Sequence, residues 1–193
     1  MEERVHTIVA IVRDRPGVLN RVTSVIRRRG FNISSLSVGK SEMPGLSRIT
    51  FVVQGDEDIA IQVTKQLRKL MDVVRIADIS YESNVSREMA LIKVKASPET
   101  RGEIMQIVDI FRANIIDVSP ESLIIEVTGD TQKVNSLMGM VKQFGICEAQ
   151  RSGQLAMVRG MLAGGDSTAV VSAMRSNGHV PEGPVVEVDR SGG

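Results

Sequence analysis

Residues 4–17 read R-V-H-T-I-V-A-I-V-R-D-R-P-G, and residues 18–30 continue V-L-N-R-V-T-S-V-I-R-R-R-G. The first nine are β-branched and mostly apolar, the pattern of a strand buried on both faces or nearly so. D-R-P-G then breaks the strand. From Val18 the apolar positions are Val18, Leu19, Val22, Val25 and Ile26, one face of an amphipathic helix. Arg27, Arg28 and Arg29 suit the negative end of that helix, and Gly30 suits the position just past it. Strand, turn and helix follow one another within 30 residues, so the element order can be read outward from here.

Strand-like stretches follow at 31–40 and 46–54, separated by M-P-G-L, and a second helix over about 57–70 carries Ile59, Ala60, Val63, Leu67 and Leu70 on one face. Positions 73–81 form a closing strand. The order βαββαβ is the ferredoxin-like split arrangement, and it then recurs. A strand at 87–96 leads through Ser97-Pro98-Glu99, with Ser at the cap and Pro at the first helical position. The next helix carries Ile104, Ile107, Val108 and Phe111. Strands at 114–118 and 121–128, a helix at 130–143 and a strand near 145–151 complete the second unit. The expected fold class is α+β: two tandem ferredoxin-like βαββαβ units, at 4–81 and 87–158, joined by a polar linker at 82–86. Units of about 65–80 residues have small cores and are expected to pack against each other or a second chain. Residues 159–193 read as a Gly-rich flexible tail with one short helical candidate at 167–175.

Composition narrows the function. The 193 residues are 42% hydrophobic and 24% charged, globular values. Aromatics make up 3%, which argues against stacking platforms for single-stranded nucleic acid. With 24 Lys plus Arg against 23 Asp plus Glu, the chain has no basic footprint for nucleic acid or an anionic membrane. A single cysteine excludes an internal disulfide and points to a reducing compartment. Neither a secretory signal nor a membrane-spanning run is visible. The expectation is a soluble, cytoplasmic protein.

Catalytic constellations are missing. His6 and His179 have no partners at triad or metal-ligand spacing, so both read as structural or incidental. Cys147 sits in an apolar strand pattern and reads as a buried, inert thiol. No dinucleotide fingerprint or P-loop is present, and G-G-D-S-T at 164–168 reads as flexible glycine. The Arg27–29 run reads as a solvated helix end. No metal site is expected.

The segment D-R-P-G-V-L at 14–19 carries the functional signal. It leaves the first N–H groups of a helix unpaired and converging, which suits one carboxylate. Gly17 lets a ligand approach the backbone. Asp14 is placed to cap the helix or, with nearby carbonyls, to receive an ammonium group. Asn32 enters the second strand with both a donor and an acceptor, and Val18, Leu19 and Ile33 form an apolar rim. These groups describe a small apolar amino acid, while an ordinary tight turn remains the alternative on these residues alone.

The run V-R-D-R-P-G-V-L-N-R-V-T-S-V-I-R-R-R-G-F-N-I-S-S-L-S-V-G at 12–39 resembles the ACT domain of acetolactate synthase small subunits. The resemblance continues through P-G-L-S-R-I-T-F-V-V-Q-G-D at 44–56, K-Q-L-R-K-L-M-D-V at 65–73, R-E-M-A-L-I-K-V at 87–94, I-F-R-A-N-I-I-D-V at 110–118 and A-Q-R-S-G at 149–153. It covers about residues 4–160. It implies a non-catalytic regulatory subunit in branched-chain amino-acid biosynthesis. Such a subunit activates a large, thiamine-diphosphate-dependent partner and confers feedback inhibition by valine, leucine or isoleucine. Thiamine diphosphate, magnesium and FAD are expected on that large subunit and no cofactor on this chain. It further implies a homodimer paired through ACT domains. The effector then lies between Asp14, Gly17, Val18 and Leu19 of one chain and Asn32 and Ile33 of the other. Pro16 departs from members carrying Ser there and removes one donor. The second unit has Ala96-Ser97-Pro98-Glu99 in place of D-x-P-G, so no effector is expected there. The rival readings are a free-standing ACT-type amino-acid sensor acting on another enzyme or on transcription, and a purely structural dimerisation module.

Overall fold

Alternation along β1 (Arg4–Arg13) sets the two sides of the first sheet. Ile8, Ala10 and Val12 face the helices, and Val9 faces the other way. The structure is a computed structural model and describes residues 4–160. After β1 come α1 (Val18–Arg28), β2 (Ile33–Lys40), β3 (Leu46–Gly55), α2 (Glu57–Leu67) and β4 (Val73–Asp78). The sheet order is β2-β3-β1-β4, every pairing antiparallel. Val18, Val22 and Ile26 of α1, with Val63 and Leu67 of α2, pack on Ile49, Phe51 and Val53 of β3.

α1 ends as its sequence suggests. Gly30 N–H donates to Arg27 C=O and Phe31 N–H to Ile26 C=O, the two bonds of a Schellman motif, with Gly30 at φ +68°. Phe31 then folds back onto the core that holds Ile26.

The second unit repeats this plan with β5 (Asn84–Lys95), α3 (Pro98–Ile110), β6 (Asn114–Ser119), β7 (Ser122–Gly129), α4 (Thr131–Val141), a 3-10 turn at Lys142–Phe144 and β8 (Ile146–Arg151). Its order, β6-β7-β5-β8, matches the first sheet. The repeat extends to irregularities. Register slips between Ile11 and Val12 and between Lys93 and Val94 occupy equivalent places, as do those at Ile33/Ser35 and Ile115/Asp117. Ser97 and Thr100 form a reciprocal capping box at α3, while Asp56 and Asp130 cap α2 and α4.

Two expectations need correction. The segment read as a linker at 82–86 is strand from Asn84 onward, because Asn84–Arg87 pair with an additional strand, β9 (Leu155–Val158), which the sequence pattern does not announce. This two-stranded ribbon lays Ala156 and Val158 against Val9, Ala77 and Ile79 on the helix-free face of the first sheet. Gln154 N–H donates to Ser35 Oγ (2.7 Å), and a Cβ on Gly153 would lie 2.6 Å from Leu36 C=O, so only glycine fits that crossing. Cys147 is exposed, not buried: β8 is an outer strand, and the slip opposite Lys93 leaves only Ile146 packed against the core. The tail reading for 159–193, with its helical candidate at 167–175 and His179, falls almost wholly outside the described residues.

Candidate effector site

The turn between β1 and α1 is built by its backbone. Asp14 N–H donates to Gly45 C=O (2.8 Å), Arg15 N–H to Arg13 C=O (3.0 Å) and Val18 N–H to Arg15 C=O (3.3 Å). Gly17 is the residue before the helix, at φ +81°, a left-handed conformation that side chains disfavour. No side chain caps this helix. The expected Asp14 cap is absent because Gly17, not Asp14, occupies the capping position; the Asp14 side chain is exposed. The N–H groups of the first turn beyond Val18 therefore keep their capacity to bind an anion. Leu19, 42% exposed, stands beside them. Val18 differs from its expected rim position. Its side chain is 3% exposed and belongs to the core, so it anchors the helix start instead of lining a pocket.

An ion pair not foreseen in the sequence steadies this corner. The Arg21 guanidinium meets the Asp72 carboxylate at 2.7 Å, and Arg13 N–H donates to Asp72 C=O (2.9 Å). The partners lie 51 residues apart, a separation at which no local pattern signals pairing.

Asn32 and Ile33 lie elsewhere. Arg13 pairs with Leu46 on β3, whereas Ile33 pairs with Val53. Those β3 positions are seven residues apart, roughly 23 Å at ~3.3 Å per residue. Within one chain the two halves of the expected site are thus at opposite ends of the sheet. Asn32 donates to Gln54 Oε1 (3.0 Å), and its counterpart in the second unit, Asn114, donates to Glu126 Oε1 (3.2 Å). The asparagine is therefore part of the repeated scaffold, and its side-chain oxygen accepts no hydrogen bond among the described residues. Ile33 packs partly on the core. β2 is an edge strand, open on its outer side.

Other chemistry-bearing residues have structural positions. His6 is 1% exposed, its Nδ1 lies 3.2 Å from Asp78 Oδ2, and the Tyr81 ring meets it edge-on. Among the described residues no three His, Cys, Asp or Glu side chains gather in a way that could hold a metal ion.

Comparison with known proteins agrees with this architecture. Residues 8–75 match the family described as the AHAS small subunit-like ACT domain, and residues 87–160 match the one described as the small subunit of acetolactate synthase. The fold and its first turn thus place the chain among proteins that couple an ACT domain to a second ferredoxin-like unit. A probable acetolactate synthase small subunit of Archaeoglobus fulgidus is 53% identical over 155 residues, covering 80% of this chain and 97% of that one. The Bacillus subtilis small subunit is 43% identical over 172 residues, covering 88% and 98%. The crystal structure of the Thermotoga maritima small subunit is 44% identical, with a TM-score of 0.77, and covers 82% and 99%. The chain belongs to the acetolactate synthase small-subunit family.

Proposed function

We propose that this chain is the regulatory subunit of an acetolactate synthase, raising the activity of a thiamine-diphosphate-dependent large subunit and making it responsive to valine or another branched-chain amino acid. Family membership supports the partner. The geometry of the first turn supports the effector: unpaired N–H groups suit its carboxylate, Gly17 permits close approach, and Leu19 offers apolar contact. Thiamine diphosphate, magnesium and FAD would reside on the large subunit. No helix among the described residues is long and apolar enough to cross a membrane. The exposed Cys147 thiol suits the reducing cytoplasm in which we place the protein.

The observation that carries the effector reading is the separation of its two halves. Loop 14–19 and Asn32 sit at opposite ends of the sheet, and β2 presents an open edge. Antiparallel pairing of β2 with β2 of a second copy would be self-complementary about a two-fold axis. It would bring Asn32 of one protomer to the end of the sheet where its partner's β2 stops at Lys40, level with that partner's first turn. A ligand held by both chains then stabilises the paired arrangement over any other. A tenfold to hundredfold difference in affinity between arrangements corresponds to ~1.4–2.7 kcal/mol of coupling, enough to alter how the small subunit holds its catalytic partner.

Mixing the chain with its large subunit and following acetolactate formation tests the reading. Activity should rise on mixing and fall again with valine, leucine or isoleucine. Gly17→Asp should abolish the fall while leaving the rise intact. Activity indifferent to mixing would refute the subunit assignment.

A further inference from the structure

A second cleft opens on the helix-free side of the first sheet, about 500 Å³ in volume, where that sheet meets the β5–β9 ribbon. This size lies within the ~300–1,000 Å³ typical of small-molecule sites. Its floor and walls are Val85, Leu155, Met157 and Val158, with Leu155 and Met157 60% and 63% exposed on one side of β9. Such apolar exposure is unusual for a strand that is otherwise folded onto the molecule.

Three cations surround this apolar surface: Lys40 from β2, Arg48 from β3 and Arg87 from β5. None has a carboxylate within 4 Å among the described residues; the ion pairs found there are His6–Asp78, Arg21–Asp72 and Arg151–Glu88. One Arg48 nitrogen donates to Ala156 C=O (3.0 Å), and one Arg87 nitrogen donates to Ser86 C=O (2.7 Å), so each guanidinium retains free donors. Glu42 is the carboxylate that feels Arg48. Its pKa is held below the usual range first by its own backbone hydrogen bond and by the Ser41 hydroxyl, and only afterwards by Arg48 and Arg75. Thr50 also lines the cleft, at 2% exposure.

We propose that this cleft binds a small amphipathic organic acid, with its carboxylate between Arg87, Lys40 and the free Arg48 donors and its hydrocarbon part along Val85, Leu155 and Met157. A polyphosphate would leave charge against apolar walls, and the cleft has no aromatic side chain on which a base could stack. The site is separate from the first turn: Arg48 and Thr50 point away from the helices, whereas Ile49 and Phe51 point toward them. Because its lining comes from both ferredoxin-like units, an occupant ties the first sheet to the ribbon of the second.

The chain has no tryptophan, so Met157→Trp in the full-length protein supplies a single fluorophore at the cleft. Titration with decanoate should give one saturable emission change per chain. Arg87→Gln and Lys40→Gln in that background should each weaken binding about tenfold or more, and decanol should bind correspondingly less well than decanoate. Saturating valine should not displace decanoate, and Gly17→Asp should leave decanoate binding intact, so failure here is distinguishable from failure of the effector reading. No saturable change, many molecules bound per chain, or equal affinity in the charge variants would each overturn the proposal.

Discussion

Alanine at Gly17 and alanine at Gly30 impose the same backbone demand at the two ends of one helix, yet only the first should touch ligand binding. Gly17 sits at φ +81° and Gly30 at φ +68°. A Cβ at Gly17 would meet only the Arg21 side chain, at 3.4 Å, and one at Gly30 would meet nothing within 4 Å. Neither substitution clashes, so the cost is conformational. The left-handed penalty is ~1–2 kcal/mol, offset by the reduced freedom of the unfolded chain, leaving roughly 1 kcal/mol of net loss. For a described fold of this size that lowers Tm by about 2–4 °C, readable by calorimetry. The same samples then enter a valine titration. Gly17→Ala places a methyl beside the open N–H groups of the first turn and should weaken valine binding about tenfold or more, the scale of one lost hydrogen bond to a charged group. Gly30→Ala should bind as the native protein does. Equal loss in both variants would mean that binding merely reports helix stability, and no loss in either would remove the ligand from this turn.

Two further perturbations test the scaffold. Ser97→Ala removes one half of the capping box at α3 and should cost about 1 kcal/mol by urea denaturation without altering valine affinity. Arg151→Met leaves the Glu88 carboxylate, 5% exposed, without its ion-pair partner. The buried-pair range of ~3–5 kcal/mol is reduced by the partial exposure of Arg151, so a loss of about 1–3 kcal/mol in urea unfolding is expected, and a neutral variant would show that Glu88 finds another partner.

Most element boundaries were legible because they rest on contacts between near neighbours. The i, i+4, i+8 spacing of Val18, Val22 and Ile26 identifies the buried face of α1, and all three are buried. Arg27–Gly30 marks its end, and the Schellman bonds form there. Ser97-Pro98 announces the start of α3, where both halves of the cap are made. Asp14 misled for a local reason: both Asp and Gly are good residues before a helix, and the choice fell to the turn that Gly45 C=O holds through Asp14 N–H. Val18 misled because a residue at the lip of a helix can face either the core or the ligand, and periodicity alone favours neither.

The amino-acid order by itself determined the repeated βαββαβ plan, the apolar face of each helix and the turn that presents unpaired N–H groups, since all depend on residues within one or two helical turns or strand lengths. Tertiary structure alone decided three things. It placed loop 14–19 and Asn32 at opposite ends of the sheet, through the β2-β3-β1-β4 order. It recruited 84–87 and 155–158 into a ribbon against the first unit, and it opened the cleft beside Arg48 and Arg87. Each of these rests on hydrogen bonds and packing between segments tens of residues apart, whose partners are selected only when whole sheets assemble.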